Sequence, residues 1–158
     1  FSSWQQRVDA LAWITDAAPA NMAPNALVGE LLRFHPAEKA RALFEATSTA
    51  AQLAKVAPDN LASLRGFFFR KPIAVTTELL CRISADGPGV SPDDLARIKV
   101  PTLIIGTAQD FVHPLDHART LARLIPNARL AEITPKGVDA AAYQTDFRSA
   151  LATFLKGL

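Results

Sequence analysis

The segment that most constrains this chain is VPTLIIGTAQD, Val100 to Asp110. Leu103, Ile104 and Ile105 form an unbroken aliphatic run with Pro101 before it and Gly106 after it. A run this short, bounded by breakers and apolar at consecutive positions, suits a strand covered on both faces. Downstream, Leu115, Ala118, Leu121, Ala122 and Ile125 recur at helical spacing, and Leu130, Ala131 and Ile133 read as a second short strand. The spacing predicts a strand, a helix and a strand. A right-handed crossover of that kind joins parallel strands, and parallel sheets present reactive groups at the carboxyl ends of their strands. Asp110 falls in the loop just past such an end.

Upstream the pattern changes. Trp4, Val8, Leu11 and Ala12, with Ile14 at the flank, mark the apolar face of a first helix that ends in the small-residue and proline stretch Ala17 to Pro24. Asn25 is a candidate cap for the next helix, which carries Leu27, Val28, Leu31, Leu32 and Phe34 up to Pro36. Pro36 begins another with Ala40, Leu43 and Phe44, and Thr49 to Val56 is a further short one before Pro58. A helix from Pro58 or Asp59 carries Leu61, Leu64 and the run Phe67, Phe68, Phe69. Ile73 to Ile83 is the last before the flexible segment Ala85 to Val90. The chain is thus read as a helical region, 1–88, followed by a strand-bearing region, 89–158. Ser91-Pro-Asp-Asp94 signals a helix start in the second region, because serine, proline and acids each favour that end of a helix. A final helix is expected from Asp139, with Tyr143, Phe147, Ala150, Leu151, Phe154 and Leu158 on one face.

Composition narrows the class. With 49% apolar and 20% charged residues in 158, the sequence is that of an ordinary globular protein. Its formal charge is +2, with both signs interspersed, so neither nucleic acid nor a membrane is expected as a partner. Cys81 is the sole cysteine and cannot form an internal disulfide, which points to a reducing compartment. The first residues lack the pattern of a signal peptide, and no stretch is long enough to span a bilayer. The expected location is the cytoplasm. The three histidines, His35, His113 and His117, have no carboxylate or cysteine at a ligand spacing, so no metal and no other cofactor is expected.

Residues 90–158 resemble the last third of the α/β-hydrolase family. The similarity lies in Ile98-Lys-Val-Pro101, the strand TLIIG, the loop with Asp110, and the run HPLDHARTLARLIPNARL. In that family such a strand is followed by the acid of a catalytic triad, and the loop after the next strand supplies the histidine. The resemblance therefore implies an α/β fold class: a partial α/β-hydrolase-like fold with a helical lid over residues 1–88 and a strand-helix-strand-helix unit over 89–158. It assigns Asp110 to the triad acid, the group that fixes the tautomer of an imidazole and stabilises its charged form.

Two departures follow. The nucleophile elbow G-x-S-x-G does not occur in the 158 residues, so a nucleophile is expected from a missing amino-terminal half. Gly137-Val138 stands where the family has Gly-His, and valine exchanges no proton. His113, the imidazole nearest to Asp110 in sequence, is the remaining candidate base. Phe67 and Phe68 are candidate substrate-binding residues, since three adjacent aromatics cannot all enter one core. The expected substrate is a small ester, lactone or related carbon-centred molecule. The alternatives are a non-catalytic binding or regulatory protein, favoured by Val138, and a helical interaction domain. Two strands alone leave an apolar edge open, so the missing half or self-association through that edge is expected to cover it.

Overall fold

Prolines and capping side chains set the helix limits throughout. The computed structural model describes residues 20–86 and 89–158, and the helix expected over Trp4 to Ile14 lies outside them. The chain divides into two compact units, Phe1–Pro88 and Gly89–Leu158.

In the first unit a short 3-10 turn, Ala20–Met22, leads into helix α1, Ala23–Phe34. Asn25, expected as a cap, lies inside this helix. Pro24 occupies its first turn, where a fixed φ and a missing N–H cost nothing, and the helix starts ahead of the asparagine. Helices α2, Ala37–Glu45, and α3, Ser48–Val56, follow, the latter capped by the Thr47 hydroxyl, which accepts from the Ala50 amide at 3.1 Å. Then come α4, Pro58–Phe67, and α5, Ile73–Ala85. Val28, Leu31, Ala40, Phe44, Leu53, Leu61, Leu64, Phe68 and Leu80 build the core. Each large side chain so buried favours the folded state by about 1.5–3 kcal/mol before entropy is counted. Phe44 and Phe68 meet with ring centroids 5.7 Å apart. α1 packs closely on α5 because Gly29 has no side chain: a Cβ there would lie 2.9 Å from Cys81 Sγ and 3.0 Å from the Cys81 amide nitrogen.

The second unit opens on α6, Pro92–Ala96, where Ser91 and Asp94 form a reciprocal capping box. Strand β1, Thr102–Gly106, helix α7, Leu115–Leu124, strand β2, Ala128–Glu132, and helix α8, Ala140–Lys156, complete it. β1 and β2 pair in parallel, Thr102 opposite Ala128 and Gly106 opposite Glu132. The Ile133 amide donates to the Gly106 carbonyl at 3.0 Å, one step beyond the ladder. A Cβ on Gly106 would stand 3.0 Å from both Ala118 Cβ and Leu115 Cδ1, so glycine lets α7 close onto the strand end. Val112, Leu115, Ile125 and Ile133 are buried there. Asp139 caps α8 by accepting from the Ala141 and Ala142 amides, each at 2.9 Å.

The expected α/β class is overturned. Among the described residues eight α-helices stand beside a single two-stranded sheet, so the protein is mostly helical and has no hydrolase-like sheet. Among the described residues only two aliphatic segments pair as strands, and the proline-bounded segments of the first unit satisfy their backbone groups internally as helices. β1, expected to be covered on both faces, is half-buried at all five positions, as a sheet of two strands dictates. Among the described residues no helix is long and apolar enough to cross a membrane.

Candidate functional site

Asp110 sits four residues beyond β1, in the loop that carries the chain from the strand's carboxyl end to α7. The loop turns on its own side chains. Oδ1 of Asp110 accepts the backbone N–H of His113 at 2.8 Å, the kind of local bond by which aspartate stabilises a turn. Oδ2 of the same carboxylate lies 3.2 Å from Nδ1 of the His113 ring. One carboxylate thus engages both the main chain and the ring of the same residue. Pro114 follows at the N-cap of α7, so the ring is held immediately before the helix begins.

The chemistry of this pair is directional. With its proton on Nδ1, His113 donates to Oδ2, and Nε2 is left as the acceptor. The ring is 80% exposed and the carboxylate 27% exposed, so Nε2 is open to an incoming group. A side-chain contact this exposed contributes only about 0–1 kcal/mol to stability.

The structure therefore brings together Asp110 and His113, the two candidate catalytic residues of the second unit. Val138 is 63% exposed in the turn after β2, its amide donating to the Pro135 carbonyl at 3.0 Å. Asp139 beside it is committed to capping α8. His117 is exposed on α7, and His35 is half-buried at the end of α1.

The candidate substrate-binding residues belong to the first unit and part company there. Phe68 is 3% exposed and packs on Phe44, which makes it a core side chain and no lining of an accessible pocket. Phe67 is half-buried with the Arg70 guanidinium 4.8 Å from its ring centroid. Cys81 is half-buried beside Glu30, and burial, more than the neighbouring carboxylates, pushes its thiol upward, away from the reactive thiolate.

One polar contact was invisible in the sequence. Oδ2 of Asp146, on α8, accepts from the Thr134 hydroxyl at 2.6 Å and from the Thr134 amide at 3.0 Å, pinning the segment after β2 to the helix. These bonds hold the Asp146 carboxyl below its ordinary range, the hydroxyl being the larger cause. The two residues are twelve apart, and no local motif announces them.

Among the described residues no three metal-ligating side chains come together. No protein-family model matches this chain, and no solved structure matches it at a significant level.

Proposed function

We propose that this chain carries the acid–base pair of a hydrolase acting on a small ester, lactone or related carbon-centred substrate. Asp110 orients the ring, and Nε2 of His113 is the base. It accepts the proton of the attacking hydroxyl as the new bond to the carbonyl carbon forms, and returns that proton to the leaving oxygen as the old C–O bond breaks. The observation that carries the reading is the double engagement of one carboxylate with the amide and the ring of His113. It is supported by the position of the loop at the carboxyl end of a parallel strand and by the resemblance of residues 90–158 to α/β-hydrolases. Since the 158 residues contain no G-x-S-x-G elbow, the nucleophile is supplied from outside them. The single cysteine fits a reducing compartment, and the cytoplasm is the proposed location.

The test is hydrolysis of a short-chain aryl acetate by the protein that contains this chain together with its nucleophile-bearing part. Asp110→Asn and His113→Ala are each expected to lower kcat/KM by roughly 10²–10⁴-fold, the usual worth of a positioned general base. Variant rates equal to wild type and above background would remove the pair from the mechanism. Val138, which replaces the histidine expected by resemblance, favours a second reading, a non-catalytic binding or regulatory protein. Absence of hydrolysis by the wild type across esters and lactones would select it.

A further inference from the structure

The net charge of the sequence is small and dispersed, but the first unit gathers cations around a half-buried ring, Phe67, and an exposed one, Phe69. Arg41 of α2 stands with its guanidinium 5.2 Å from the centroid of Phe69, and Arg70 covers Phe67 at 4.8 Å. Arg65 of α4 reaches across to Glu45 of α2 with two bonds of 2.7 Å, tying the same two helices together. Glu45 stands one turn after Arg41 on α2, so Arg41, Glu45 and the bonded Arg65 share one side of that helix. Lys71 follows Arg70 and is exposed. Phe69, at the end of this run, is 64% exposed, a large apolar ring left in water among basic groups. The acids of the neighbouring helix α2 are Glu38, one turn before Arg41, and Glu45, which is already occupied by Arg65.

We propose that this surface, Arg41, Phe67, Phe69, Arg70 and Lys71, binds the face of an anionic lipid bilayer. Phe69 enters the boundary between headgroups and acyl chains, and the cations meet the headgroup phosphates and carboxylates. Interfacial binding combines apolar burial with attraction to anionic lipid, and this surface supplies both. Cation–π contact keeps the Arg41 guanidinium beside the ring that is to be inserted, so charge and apolar surface arrive together. Single-stranded nucleic acid would also meet the charges, but it needs open ring faces for stacking, and one face each of Phe67 and Phe69 is taken by arginine. An acyl boundary requires no particular face of the ring.

The experiment is co-sedimentation of the full chain with phosphatidylcholine vesicles, with and without phosphatidylserine, at low and physiological salt. Binding is expected only to the anionic vesicles and is expected to weaken with salt. Arg70→Ala combined with Lys71→Ala should lower the partition coefficient by roughly fivefold per charge removed. Phe69→Ser should reduce it at unchanged net charge. All these side chains are exposed, so circular dichroism is expected to show unaltered folding. Equal recovery with neutral and anionic vesicles would overturn the proposal. So would an Arg70→Ala, Lys71→Ala variant that binds like wild type, or retention by a single-stranded oligonucleotide without vesicle binding.

Discussion

Asp110 and Asp146 show how differently two carboxylates expose themselves in a sequence. Asp110 was readable because the breakers and aliphatic run before it place it at a strand end, and its partner His113 is only three residues away. Asp146 was not, because nothing in a helical stretch says that its oxygen meets Thr134 on a segment the sheet has positioned. Its electrostatics make a prediction. The folded carboxyl titrates below the ordinary value of about 3.9, so its contribution to stability is present above that value and is lost as pH falls through the folded one. Glu45, lowered by its bond to Arg65, and Asp94, lowered by the Ser91 amide, act with the same sign. Asp146→Asn is expected to lower the Tm at neutral pH, with the gap to wild type closing on acidification. Thermal melts of both proteins between about pH 7 and about pH 2 measure it, and a gap that does not change with pH would contradict the assignment.

At the scale of elements, helix limits follow from chemistry that acts over three or four residues. The Ser91–Asp94 capping box, the Asp139 cap and the proline-led starts of α1 and α4 are all of this kind. Where such signals compete, the outcome is not local, as Asn25 shows by lying inside α1. Helix packing is a second thing the sequence does not print. Gly29 and Gly66 look alike as helical glycines, yet a methyl group at Gly29 meets the Cys81 backbone at 3.0 Å and one at Gly66 meets nothing within 4 Å. Opposite signs are therefore expected. Gly29→Ala should destabilise by about 1–3 kcal/mol, since the obstructing atom is main chain and cannot swing away. Gly66→Ala should stabilise by about 0.5–1 kcal/mol, by reducing the freedom of the unfolded chain. Urea unfolding of the two variants decides the matter, and a neutral Gly29→Ala would mean that α1 and α5 stand further apart.

For the molecule as a whole, both units leave apolar side chains in water, and the second adds an open sheet. Its sheet has two strands, and Phe147, Leu151 and Leu155 on α8 are 41%, 40% and 57% exposed. An open sheet edge and an apolar helix face both invite a partner. We propose that the chain alone self-associates through this unit, with weight-average mass rising with concentration in sedimentation equilibrium. A monomer at every concentration would refute it. The amino-acid sequence by itself determined that two aliphatic segments flank a helical crossover and that Asp110 stands past the first of them, because these depend on near neighbours and on periodicity. Only the tertiary structure decided that the sheet stops at two strands, that Phe68 is core while Phe69 is not, and that Arg41 joins a cationic surface with residues 65–71. Those outcomes depend on which distant segments meet, and the free energy of that meeting is shared among many side chains and is carried by no single motif.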